Sequence, residues 1–183
     1  MAVEQNGKRS GVDMKLEKEQ SWNLLRTFVC ITIAGTLLHG LFDLWPSILT
    51  EFVAPVNESI WEHVKIVFWP LLVGLTMLYE KGKWGGALLS VLLCCGLMLA
   101  FGWVCHIVLG VAPGFVDIVC YVLLIALGCL LPDWLKVPEG WTGWLVCASV
   151  LLVGLLVTFT IMPPDLRLFH DASLVDAWVV HTW

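Results

Sequence analysis

Side chains able to do chemistry recur in this chain among apolar neighbours: His39 and Asp43, Glu58, Glu62, His63 and Lys65, His106 and Asp117, then His170 and Asp171. Imidazole and carboxylate together are the ligand types of zinc and similar divalent ions. A further carboxylate within reach of such an ion can act as general base toward water. His39, Asp43, His63 and His106 are therefore candidate ligands, and Glu58 and Glu62 candidate bases. The spacing forms no known signature: four positions separate His39 from Asp43, and no H-E-x-x-H is present. Residue types, not a motif, point to a metal such as zinc.

Whatever elements hold these residues must be apolar helices. Of the 183 residues 59% are hydrophobic and 14% charged, and the mean hydropathy is +0.87, which excludes a disordered chain and an ordinary soluble enzyme. Nine of the 25 Asp, Glu, Lys and Arg residues fall within the first 26 positions, which leaves long uncharged runs downstream. A span needs about 20 apolar residues. Five segments qualify, near 23–45, 59–79, 84–110, 114–132 and 141–162, so the expected fold is all-α, a polytopic transmembrane bundle of five spans. Pro46, Pro55, Pro113, Pro132, Pro138, Pro163 and Pro164 fall at or beyond the ends of these segments, as a missing N–H requires. Pro70 lies inside the second span, predicting a kink and a freed Ile66 carbonyl.

Laid on these spans, the ionisable residues collect in one slab toward a single boundary, within roughly 10 Å at 1.5 Å per residue. Thr32, Gly35, Thr36, His39 and Asp43 share an arc of about 100° on the first helix, a polar stripe expected to face the bundle. Glu58, Glu62 and Lys65 fall on one face of a second helix that would begin near residue 59. Ser59-Ile60-Trp61-Glu62 also matches a capping box, a role that could by itself account for Glu62. In the third span Gly86 with Ser90 and Gly96 with Ala100 would admit a close neighbour.

Eight basic residues (Lys8, Arg9, Lys15, Lys18, Arg26, Lys81, Lys83 and Lys136) fall on one side of this topology and Arg167 on the other, placing the N-terminus inside and the C-terminus outside. The organisation is then a cytosolic polar tail, 1–22, a five-helix transmembrane domain, 23–162, and an extracytoplasmic tail, 163–183. A net charge of −5 argues against a nucleic-acid partner. The seven cysteines lie in apolar runs, where thiols behave as small hydrophobes.

The stretch from His39 to Pro70, HGLFDLWPSILTEFVAPVNESIWEHVKIVFWP, resembles a family of small bacterial integral membrane proteins of unknown function. Its recurrent features are a His and an Asp closing the first helix and P-V-N-E-S-x-W-E-H opening the second. A second similarity is FTIMPPDLRLFHD, Phe159 to Asp171, since members carry two prolines and then Leu-Phe-x-Asp after the last helix. Beyond Asp171 the chain departs from that pattern, lacking the Pro and Tyr-Gly ending. The resemblance implies a multi-pass protein of a bacterial cytoplasmic membrane and supplies no chemistry.

Three functions are compatible with these residues. One is a metal-dependent membrane hydrolase acting on a small-molecule or lipid substrate. Another is a carrier component, in which the same groups bind a cation or relay protons. The third is a non-catalytic accessory protein in which the slab joins helices. The sequence leaves open whether the chain is an enzyme and what its oligomeric state is; the lipid bilayer is its expected partner.

Overall fold

The computed structural model describes residues 2–110 and 114–171, with side chains from residue 14 onward apart from Lys81. The described residues form seven α-helices and no strand: α1 (Ala2–His39), α2 (Leu41–Leu44), α3 (Ile48–Val53), α4 (Val64–Leu78), α5 (Trp84–Gly102), α6 (Gly114–Trp134) and α7 (Thr142–Ile161). Four helical segments are long and apolar enough to cross a membrane: Met14–His39, Trp84–Val108, Gly114–Trp134 and Glu139–Ile161. The segment expected to be the second span is shorter, because α4 holds 15 residues, about 22 Å at 1.5 Å per residue. Its expected first turn, 59–63, is instead a series of tight turns. The first helix runs back without a break through the polar residues before position 23.

α4 is the centre of the fold and packs against α1, α5 and α6, while α7 lies on α5. Its inward residues Val64, Val67, Phe68, Leu71 and Leu75 are fully buried. Burial of such side chains contributes on the order of 2 kcal/mol each, which a short helix needs.

Two helices carry an internal proline, and each leaves one carbonyl without its intrahelical donor. In α4, Pro70 frees the Ile66 carbonyl. A Cβ on Gly35 would sit 2.6 Å from that oxygen and would collide with the Tyr121 hydroxyl, so only glycine lets α1 approach here. Tyr121 donates to the Thr32 carbonyl at 2.9 Å, which turns the Thr32–Gly35 part of the α1 stripe inward. In α6, Pro132 lies within the helix and not at its end, and frees the Gly128 carbonyl. The Ser90 hydroxyl donates to that oxygen at 2.8 Å. Gly86 packs against the Pro132 and Leu135 carbonyls, whereas Gly96 meets no neighbour and Ala100 is exposed. Only the first of the two small-residue pairs in α5 is a contact.

Side-chain contacts place the C-terminal ends of α1 and α7 beside the start of α4, and the far end of α5 beside the start of α6. That common end carries His39, Glu58, Glu62, His63, Lys65, His106 and Asp117. At the other end Asp133 accepts from Tyr79 at 3.0 Å and pairs with Lys83 at 2.9 Å.

Candidate functional site

Gly40 ends α1 directly after His39, which puts that imidazole at the helix rim. Asn57 and Ser59 then shape the chain before α4: the Asn57 Oδ1 accepts from the Ser59 N–H at 3.0 Å, and the Ser59 Oγ accepts from the Glu62 N–H at 3.3 Å. Half of the expected capping box is therefore made. The Glu62 carboxylate does not return to the Ser59 N–H, because the helix starts only at Val64 and the turn directs it elsewhere.

Because of that turn, the three residues expected on one helical face separate into two groups. Glu62 and Lys65 form a buried pair at 2.6 Å, with side chains 3% and 0% exposed. Glu62 also accepts from the Val56 N–H at 3.0 Å and the Thr160 hydroxyl at 2.8 Å. The Lys65 ammonium donates further to the Glu51 and Ala54 carbonyls at 2.7 and 3.2 Å. Every strong bond these two groups need is made inside the protein, the condition under which a buried pair is tolerated. Both Glu62 oxygens are thus engaged by donors of the protein itself.

Glu58 instead turns toward two histidines. His39 Nε2 lies 3.2 Å from His63 Nε2 and 3.6 Å from Glu58 Oε2, and His63 Nε2 lies 3.3 Å from the same oxygen. These side chains are 40% (His39), 50% (Glu58) and 17% (His63) exposed, so the triangle opens at the surface. His63 Nδ1 is 2.8 Å from the Ser59 carbonyl. A carbonyl only accepts, so Nδ1 carries a proton and, in the neutral ring, Nε2 presents its lone pair to the carboxylate. In that state the lone pair can accept from a His39 Nε2–H at 3.2 Å, whereas a proton on His63 Nε2 would bond to Glu58 and a metal ion would be shared by all three. The titration directions favour that proton. Burial works against a charged His63, but the bonds to Glu58 and Ser59 outweigh it and hold the imidazole above its ordinary value. The hydrogen bond from His63 likewise holds Glu58 below its own, against partial burial.

The same triangle fits a metal. Zinc with ligands at 2.0–2.1 Å in tetrahedral geometry sets neighbouring donor atoms about 3.3 to 3.4 Å apart, close to the three distances here. The Ser59 carbonyl fixes the tautomer of His63, the usual outer-shell support of a metal-binding histidine.

The remaining candidates lie elsewhere. Asp43 is exposed on α2, beyond the break at Gly40, and outside the three-residue group. His106 is carried by a π-helical continuation of α5, Trp103–Val108, and its Nε2 lies 2.9 Å from Asp117 Oδ1 in the first turn of α6. Asp117 is near enough to favour the charged form of His63. His170 pairs with Asp165 at 2.9 Å, outside the group.

Sequence reasoning assigned Glu58 to the bases and did not single out Ser59 as an orienting group, although its position four residues before His63 is a signal for such a bond. It also missed an aromatic cluster in which Trp61, Phe159 and Phe169 lie with ring centroids 5.1–5.3 Å apart. The Trp61 backbone N–H donates to the Leu168 carbonyl at 3.1 Å. The two stretches that carried the family resemblance thus meet in space behind the triangle.

No curated protein and no solved structure matches the chain. A family of unknown function, DUF6512, matches residues 13–175, and the chain belongs to that family.

Proposed function

We propose that this is a metal-dependent membrane hydrolase, with His39, Glu58 and His63 as the ligands of one divalent ion such as zinc. The observation that carries this reading is the triangle of three donor atoms 3.2–3.6 Å apart. Three protein ligands with an open side suit a catalytic site better than a structural one, which closes with a fourth. When bound, the ion supplies Lewis-acid activation of water or of a carbonyl. The residues around it have separable tasks. Ser59 orients His63, and the Glu62–Lys65 pair fixes the turn that carries Glu58. The His106–Asp117 pair, at the same end of the bundle, is the proton acceptor and donor of this reading, with Asp117 holding the ring.

In the same proposal α1, α4, α5, α6 and α7 are five spans in a bacterial cytoplasmic membrane. The basic-residue asymmetry supports residues 1–22 inside and 163–183 outside, with the triangle facing outward.

Elemental analysis and turnover of an ester and amide panel test the reading. About one zinc per chain is expected, lost in His63→Ala, with zinc-dependent hydrolysis that His106→Gln abolishes while the zinc stays bound. Bound zinc without turnover would favour the carrier or accessory role, and no bound zinc would overturn the site.

A further inference from the structure

Between α1 and α4 the chain makes two short helices whose outer surface is strongly apolar. Leu44 is 86% exposed, Trp45 72%, Ile48 70% and Leu49 77%. This surface continues that of α1, where Ile33 and Leu37 are also exposed and which is one of the segments able to cross a membrane. It is not a loose loop. Lys65 holds the Glu51 and Ala54 carbonyls, the Trp69 indole donates to the Phe52 carbonyl at 3.2 Å, and Ser47 caps α3 through Thr50. Ala54, Pro55, Ser59, Ile60, Trp61 and Glu62, which follow it, are buried.

Firm anchoring of an exposed apolar surface costs free energy in water and none against lipid. Between Gly40 and Asn57 the only charged residues are Asp43 and Glu51, so attraction to a charged headgroup does not hold this surface to the bilayer. Backbone of this kind is tolerated beside hydrocarbon when its polar groups are satisfied by protein, as several here are. The platform starts two residues after His39 and ends five residues before Glu58, so the chain carries it between two corners of the open triangle.

We propose that the substrate of the His39–Glu58–His63 site is a membrane amphiphile. Its polar group meets the triangle, and its hydrocarbon chain lies in the leaflet along Leu44, Trp45, Ile48 and Leu49. This rests on the metal reading and names its substrate class. A water-soluble substrate would need no apolar approach and would gain nothing from chain length, whereas each methylene placed against lipid and the platform adds about fourfold in affinity.

The test uses the full-length protein loaded with cobalt(II) in phosphatidylcholine nanodiscs. Two metal-binding probes, acetohydroxamate and decanohydroxamate, are titrated against the visible cobalt bands, which themselves report that the site is formed. Decanohydroxamate is expected to shift the bands at a concentration at least about 100-fold lower, and Trp45→Glu with Leu49→Glu to shrink that ratio at least tenfold. Should the double variant lose cobalt, Leu49→Gln alone carries the comparison, since the side chain is largely exposed. Equal midpoints for the two probes would overturn the amphiphile while leaving the metal site standing. A ratio unchanged by the substitutions would overturn it too, since simple partitioning into the disc would then suffice. Absence of cobalt bands in the unaltered protein would overturn the metal reading, and this inference with it.

Discussion

Glu58 and Glu62 stand four residues apart in one turn, yet their surroundings are opposite. Glu62 is buried, and its oxygens take a backbone N–H, a hydroxyl and an ammonium. Glu58 is half exposed and lies beside two imidazoles, 3.6 Å from His39 Nε2 and 3.3 Å from His63 Nε2. A saturated carboxylate has little to offer a ligand, while one held beside lone pairs has a standing demand for positive charge. The contrast separates a carboxylate that builds the fold from one that is available for binding.

The largest expected effect strikes the closed side. Glu62→Ala leaves the Lys65 ammonium buried with carbonyls alone and is expected to lower stability by about 3 to 5 kcal/mol. Glu58→Ala, which breaks a partly exposed pair, should cost no more than about 1 kcal/mol in ion-free protein. Denaturation in mixed micelles measures both, and equal losses would erase the distinction.

Next comes the open side. His63→Ala is expected to weaken zinc binding at least 100-fold, about 2.7 kcal/mol, with the fold retained. Competition against a chromophoric chelator reads the change, and an unaltered affinity would remove His63 from the ligands.

Thr160→Val removes one donor to Glu62 Oε1. A hydrogen bond to a charged acceptor contributes about 1.5 kcal/mol at the lower end, so stability should fall by about that amount while zinc affinity holds. A matching fall in zinc affinity would mean that the two carboxylates are not independent.

The smallest effect is pH dependence. Folding raises His63 above 6.5, so in ion-free protein its contribution to stability is complete below that value and is lost as pH climbs through the raised one. Glu58 is lowered from 4.5, so its contribution is complete above 4.5 and is lost as pH drops through the lowered value. The ion-free cluster therefore stabilises most between the two ordinary values. Zinc needs His63 neutral, so its affinity should decline as pH falls through the raised value, by up to about tenfold per unit. Isothermal titration across pH 5.5–8 measures this, and a flat profile would take His63 out of the competition.

The apolar helices and the polar end of the bundle were legible in the sequence, since hydropathy and the depth of His39, His63, His106 and Asp117 need no tertiary information. Which of these residues meet was not. Helical periodicity put Glu58, Glu62 and Lys65 on one face, but Asn57 and Ser59 make turns that delay the helix to Val64, and Glu58 leaves the register. Asp43 was placed by extending the α1 period through Gly40, where the helix ends. A missing N–H places Pro132 at a helix end by local rules; it sits inside α6 because the freed Gly128 carbonyl finds a donor in Ser90, 38 residues away in sequence.

The bond from Thr160 to Glu62 spans 98 residues, and the aromatic packing of Phe169 on Trp61 joins residues still further apart. During synthesis at about 5 to 20 residues per second, the turn bearing Glu58 would emerge roughly 5 to 20 s before the residues that lock it from behind. Helices can enter the bilayer in order as they leave the ribosome, but this corner must wait. A nascent chain stopped before Thr160 would be an inserted bundle with an unfinished corner, so the geometry of the His39–Glu58–His63 triangle would be among the last features to form.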